Sequence, residues 1–272
     1  MNPSSIQIRL ERVVALRKRY KAIRYFFYFI LFLLVLYSIK ITVIEDTDWE
    51  RIGGLGMVAK AMGRFLPPDL SVVKYLFKPT VETFMIACLG TMLAVVLSIP
   101  VIWLGAHNIT PFFAVTYPLG RSLMTLSRSV NEIVWALIFV AAVGLGAFPG
   151  ILAIAMRSVG FVAKTTAEAI EDVNTGPIEA IKAVGGSRFQ VIRYAILPQI
   201  LPIFISLVIF QWDINIRRAT ITGLVGAGGL GLTIQRQLLM YNYGGVTTVI
   251  LAMLVLIGIG EVVSYYARRA II

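Results

Sequence analysis

The stretch EAIEDVNTGPIEAIKAVGGSRFQVIRYAILP, residues 168–198, is a polar island in an otherwise apolar chain. It carries helix punctuation. Gly176 can serve as N-cap, Pro177 can occupy the first helical position, where its missing N–H costs nothing, and Glu179 in the first turn suits the positive helix end. Gly185 and Gly186 supply the stop. These signals predict a helix over residues 177–184, roughly 12 Å long at 1.5 Å per residue. A helix this short is marginal alone. Its apolar residues Ile178, Ala180, Ile181 and Val184 therefore need a partner surface, either the protein's own helices or another subunit.

Outward from this island the chain reads as a membrane protein. Of 272 residues, 58% are hydrophobic and 14% charged, and the mean hydropathy is +0.84, well above the soluble norm. A helix needs about 20 apolar residues to cross the hydrocarbon. Residues 25–39 qualify if Lys40 snorkels and the run extends to Ile44, and residues 83–106 qualify outright. The run 133–156 is interrupted by GLGAFPG (144–150), which predicts a tight hairpin between helices at 129–145 and 149–169. Residues 194–212 and 246–261 complete an expected six spans. The fold class is thus an all-α integral membrane protein.

Basic residues set the orientation. Arg9, Arg12, Arg17, Lys18, Arg19, Lys21 and Arg24 face a single Glu11 in the N-terminal arm, and an inside N-terminus places 16 of the 25 basic residues in the cytoplasm: these seven, Arg121 and Arg128 in an expected cytoplasmic loop at 105–128, five from Arg157 to Arg193, and the C-terminal Arg268 and Arg269. The net charge of +11 then reflects an arm beside anionic headgroups, with no nucleic acid required. EDTDWER after Ile44 offers no small-residue cleavage pattern, so the first run reads as a retained span. Cys88, the only cysteine, reads as a small buried residue. His107, the only histidine, has no partner at ligand spacing, so no metal site is expected. The expected division is a basic arm (1–24), a first span (25–44), an external segment (45–79), a core (80–267) and a cytoplasmic tail (268–272). In the external segment Leu55, Val58, Met62, Phe65 and Leu66 recur at helical spacing and suggest an interfacial helix.

The island also carries a family signature. Glu179, Ala180, Gly185, Leu197 and Pro198 match the pattern Glu-Ala-Ala, three residues, Gly, nine residues, Ile, any residue, Leu-Pro; Ile181 and Ala195 replace two of its members. The stretch resembles the EAA loop of ABC importer permeases. FLPPDL (65–70), ETFMIACLGTMLAVVLSIP (82–100), NEIVWALIFVAAVGLGAFPG (131–150) and NIRRATITGLVGAGGLG (215–231) extend the resemblance to permeases of phosphonate-type importers. The resemblance implies a five-helix type I permease core plus an extra N-terminal helix, in the inner membrane. It implies a homodimer with a path along its twofold axis, an external binding protein, and two cytoplasmic ATPase copies that hold ATP and Mg and receive the short helix (Gly176, Pro177, Ile178, Glu179, Ala180, Ile181, Val184, Gly185). It implies no catalytic residue and no cofactor on this chain, and phosphonate, phosphite, phosphate or a phosphate ester as cargo. Permeases for amino acids or betaine are the nearest alternative.

GLVGAGGLG (223–231) contains the spacing GxGxxG, which in a βαβ unit cradles a dinucleotide. Here it follows a membrane helix, and no acidic residue lies between Asp213 and Glu261 to hold a ribose. The nucleotide reading fails, and Gly226, Gly228, Gly229 and Gly231 are expected to build an outer gate, with Ala227 near the twofold axis. Ionisable groups at membrane depth face cavities or partners, which singles out Arg157 and the cluster Asp213, Arg217, Arg218. Asp213 and Arg217, four apart, can pair on one face. Arg157 shows no local partner, and Arg157 with Arg217 is expected to ease an oxyanion through. An ion-coupled carrier would show repeats and intramembrane acids, whereas Glu132, Asp213 and Glu261 are expected near span ends. No nucleophile–base pattern supports a membrane enzyme.

Overall fold

The computed structural model describes residues 3–45 and 54–270, and every described element is helical. Residues 46–53 of the expected external segment, and the side chains of Arg9, Arg12, Lys18, Arg19 and Leu55, lie outside the described residues. The chain divides into two compact units, Met1–Gly63 and Arg64–Ile272. In the first, α1 (Pro3–Ile39) continues through a wider π turn, Lys40–Glu45, and contains the expected first span; α2 (Gly54–Gly63) occupies the place of the expected interfacial helix.

The second unit opens with Asp69, whose side chain accepts from Ser71 N (3.0 Å) and caps the 3₁₀ turn Leu70–Tyr75. Then follow α3 (Phe77–Gly105), α4 (Phe113–Ser129), α5 (Glu132–Val143), α6 (Ala147–Glu171), α7 (Thr175–Ala183), α8 (Arg188–Val191), α9 (Leu197–Thr222), α10 (Gly229–Leu239) and α11 (Tyr243–Arg269). Three expectations change. Residues 105–128, expected as a cytoplasmic loop, contain α4, and the expected helix at 129–145 is only the twelve-residue α5. Neither is long and apolar enough to span alone; the two together have the length and apolarity of one span, bent by 87° at the break as in a broken span or a re-entrant loop. Extended backbone at Val130 breaks the helix, and Asn131 restarts it by accepting from Ile133 N at 2.9 Å. The described residues thus contain five long apolar helical segments, or six spans with the bent pair. The helix expected to end at residue 212 continues to Thr222, which places Asp213, Arg217 and Arg218 inside α9 rather than at its end. The last span is also longer, Tyr243–Arg269.

The helices close on one another through small residues, as membrane helices do when burial against lipid gives no drive. At Gly120 of α4, an added Cβ would lie 2.6 Å from Gly105 Cα of α3; at Gly90, it would lie 2.8 Å from Ile154 of α6. Two apolar clusters result. One joins Ile86, Ile154, Ile216, Leu230 and Val249, the other Ile102, Met124, Ala163, Ile170, Val191 and Ile200. A buried polar network ties α3, α6 and α9: Gln211 Nε2 donates to Ser158 Oγ (2.9 Å) and Asn215 Oδ1 (3.0 Å), Ser158 Oγ donates to Asn215 Oδ1 (3.1 Å), and Asn215 Nδ2 donates to Thr91 Oγ1 (2.9 Å). Buried polar groups satisfied in this way fix the helix register.

Candidate functional site

The short helix exists, with its start shifted. Asn174, not Gly176, is the N-cap and accepts from Gly176 N at 2.9 Å, so Pro177 takes the third helical position and the helix runs Thr175–Ala183. Asparagine outcompetes glycine because its side-chain oxygen satisfies an orphan amide. Gly185 does supply the stop: its φ of +79° is the left-handed conformation, and Gly186 N donates back to Ile181 O at 2.9 Å. Ser187 and Gln190 then form a capping box for α8. The apolar residues divide into packed and exposed sets. Ile178 and Ile181 pack on the protein's own inner cluster, whereas Ala180 is exposed, and Val184 (85%) and Phe189 (74%) present large apolar side chains outward beside the exposed Pro177 and Glu179.

The structure gives Arg157 a partner that the sequence did not reveal. Glu132, first residue of α5, stands 3.7 Å from Arg157 Nε and 3.7 Å from Arg218 Nε, one carboxylate between two guanidiniums. All three side chains are largely buried, at 15%, 22% and 19% exposed. Arg217 instead pairs with Asp213 along α9, as its spacing predicts. It is therefore Arg218, not Arg217, that the fold brings beside Arg157. Glu132, expected near a span end, sits at the break of the bent span. Arg157 lies ten residues from Ala147 and fourteen from Glu171, about 15 Å and 21 Å along the helix, near the middle of a candidate membrane span. The triad keeps one positive charge in excess, and Arg157 Nε and Arg218 Nη1 are buried without a hydrogen-bond partner.

The glycine segment lies at the opposite end of the bundle from α7. Gly226 (φ +95°), Gly228 (φ +84°) and Gly229 (φ +67°) turn the chain sharply between α9 and α10. Unwound backbone at this depth needs partners, and it has them: Gly146 N donates to Gly226 O (3.0 Å), and Leu230 N donates to Thr83 Oγ1 (2.8 Å). Gly231 packs on Gly223, an added Cβ coming 2.7 Å from Gly223 Cα. Ala227 is fully buried, with Ala136 and Ala153 as neighbours, so it lies inside the protomer rather than on an exposed face where two copies meet. An open cavity of about 840 Å³ adjoins this turn, with Lys78, Glu82, Gly226 and Arg236 in its wall.

Two further features escaped the sequence reading. Arg121, read as a loop residue, sits on α4 and hydrogen-bonds both carboxylate oxygens of Glu171 at 2.6 Å, clamping α4 to the C-terminal end of α6. Cys88 is partly buried, as expected of a small packing residue, and its Sγ accepts from Trp212 Nε1 at 3.2 Å. The polar string SRSVNE at 127–132 carried the signal for the helix break, through the capping residue Asn131.

Residues 25–272 match the family described as binding-protein-dependent transport system inner membrane component. The chain is 38% identical over 218 residues to the phosphite transport system permease protein PtxC of Stutzerimonas stutzeri, covering 80% of this chain and 79% of that one. It is 34% identical over 229 residues to the phosphate-import permease protein PhnE of Mycolicibacterium smegmatis, covering 84% of this chain and 43% of the relative. In fold it is similar to a chain of the inward-facing MetNI methionine ABC transporter, with a TM-score of 0.65 at 22% identity over 75% of this chain and 99% of that chain. With its membrane helices and its EAA-type loop, the chain belongs to the family of binding-protein-dependent transport system inner membrane components, as a membrane-spanning permease subunit of an ABC importer and not an enzyme in its own right.

Proposed function

We propose that this permease passes a compact phosphorus oxyanion, phosphite, phosphonate or phosphate, delivered by an external binding protein and driven by a separate ATPase. The observation that carries the reading is the Arg157–Glu132–Arg218 triad, a net positive site near the middle of a candidate membrane span. Arginine suits such cargo because its planar fork meets two oxygens at once. A carboxylate between the two arginines already occupies part of their hydrogen-bonding capacity, so an anion binds weakly enough to leave. The names of the relatives, phosphite and phosphate permeases, favour the same class.

In this reading the chain forms a homodimer with two ATPase copies, which carry ATP and Mg. Gly176–Gly185 is the coupling element: Ile178 and Ile181 anchor it to the permease, while Pro177, Glu179, Ala180 and Val184 meet the ATPase. Both termini are cytoplasmic, the basic arm lies against the inner leaflet, and residues 45–79 are external. Arg157, Asp213 and Arg217 belong to the path, and Gly226, Gly228, Gly229 and Gly231 to the outer gate. The test is uptake by the assembled complex in proteoliposomes with radiolabelled phosphite, methylphosphonate and phosphate, against methionine and glycine betaine. ATP-dependent uptake of a phosphorus oxyanion supports the reading; uptake of only an amino acid or betaine refutes it.

A further inference from the structure

We propose that Arg128 is the next anion contact on the cytoplasmic side of the triad, so that the oxyanion is handed from Arg157 and Arg218 to Arg128; this rests on the oxyanion reading above. Read as a sequence, Arg128 falls in a cytoplasmic loop. In the structure it is the penultimate residue of α4, and its stem lies against the middle of α6: a Cβ added to Gly160 would stand 3.0 Å from Arg128 Cγ, 2.9 Å from Ser127 Cβ and 2.5 Å from Met124 O. Ser127 fixes the contact. Its hydroxyl donates to Met156 O and accepts from Gly160 N (3.0 Å), bonding α4 to α6 at the residue before Arg128.

Gly160 is thirteen residues from Ala147 and eleven from Glu171, about 20 Å and 16 Å from the two ends of α6. The Arg128 stem is thus anchored near the middle of a candidate membrane span. Yet none of the ion pairs among the described residues includes Arg128, and its side chain is exposed. An unpaired charge at that depth is costly against lipid and faces a water-filled space instead. The neighbouring surface is polar as well: Ser129 and Asn131 are exposed at the helix break, and Glu132 follows.

A side chain near the end of a helix leans toward its N-terminus, which for α4 is the cytoplasmic end where Gly120 meets Gly105. Arg128 is thus one helical turn inward of Arg157, as Gly160 is from Arg157 along α6. The three arginines differ in one respect. Arg157 and Arg218 share Glu132, whereas among the described residues no carboxylate pairs with Arg128. An anion leaving the triad therefore meets an unoccupied guanidinium next, and two shallow sites in series allow passage without one deep well.

The test uses the complete complex, with its binding protein and ATPase, in proteoliposomes with radiolabelled phosphite or phosphate as the probe. Arg128→Gln is expected to lower uptake at least tenfold while binding-protein-stimulated ATP hydrolysis stays within twofold of wild type. Arg128→Lys, which keeps the charge, is expected to restore most of the uptake. Wild-type uptake by Arg128→Gln overturns the inference while leaving the oxyanion reading standing. Joint loss of uptake and hydrolysis in both variants also overturns it, because that pattern marks a structural residue. A wild-type complex that imports neither probe removes the oxyanion reading and this inference with it.

Discussion

Replacing Glu132 by Gln removes one negative charge and leaves two guanidiniums facing each other. At 3.7 Å each ion pair has a gross Coulomb energy of about 4.5 kcal/mol with an effective dielectric constant of 20. Most of that offsets desolvation, and breaking a buried pair by removing one partner costs about 3–5 kcal/mol net. At roughly 2–4 °C per kcal/mol, the variant should melt about 6–20 °C below wild type in detergent with chloride as the only anion. Phosphate should then restore part of the loss. An anion at 100 times its Kd contributes about 2.7 kcal/mol, so half or more of the deficit returns if the two arginines take phosphate in place of the carboxylate. The assay is a thermal melt of wild type and Glu132→Gln across a phosphate titration at constant ionic strength. A variant that melts with wild type, or one whose loss is indifferent to phosphate, refutes the assignment of the triad as an anion site.

Val184→Asp should leave the permease folded, since Val184 is 85% exposed and such surface changes are within about 0.5 kcal/mol; co-purification of the ATPase should nevertheless be lost, and its retention would argue against docking through this side chain. Gly150→Ala should destabilise by about 1–3 kcal/mol through overpacking, because the new Cβ would lie 2.6 Å from Ala227 O; an unchanged melting temperature would show that the glycine turn yields freely. At Asp69, hydrogen bonds from Ser71 and then Asn242 hold the carboxyl below the usual carboxylate range. A lowered folded-state value means stability that is present above the ordinary carboxylate range and lost as pH falls through the lowered value. Asp69→Ala should therefore lower the melting temperature at pH 7 but not in strong acid, and a pH-independent difference would contradict the linkage.

The spans were legible because the hydrocarbon imposes a length on apolar runs, and the short helix of the polar island because its punctuation is local. Asn174 was a readable cap, but Gly176 and Pro177 drew the start two residues inward. The bent span was not legible in the same way. Residues 113–129 carry Ser, Thr and Arg, so their run fails a test of apolarity, and what makes them helical is a tertiary fact, the close approach of Gly120 to Gly105 and of Met124 to Gly160. The triad was hidden for the same reason. Glu132 and Arg157 are 25 positions apart and Arg218 a further 61; only the return of α6 beside α5 and the extension of α9 past residue 212 bring them together. Asp213 and Arg217 lie on one helix, and that pair was predicted.

The placement of α6 links these features mechanically. It is one uninterrupted helix of 25 residues, about 37 Å long, and its C-terminal end leads through Asp172–Asn174 into α7. Arg121 grips Glu171 at that end, Ser127 bonds its middle, Arg157 projects from it toward Glu132, and its first turn abuts Ala227 and receives Gly226 through Gly146. A displacement imposed at α7 therefore reaches the triad and the glycine turn along a single stiff rod rather than through a chain of loops. The buried hydrogen bonds among Gln211, Ser158 and Asn215 tie α9 to that rod. Two of the breaks between helices lie along this linkage: Val130–Asn131 beside the triad, and Gly226–Gly229 at the far end. On the proposed function, closure of the ATPases at α7 is expected to be read out as a change of spacing between Glu132, on the far side of the first break, and Arg157, on the rod. The proposed hold on the anion and the proposed gate would then change together, because one helix carries both.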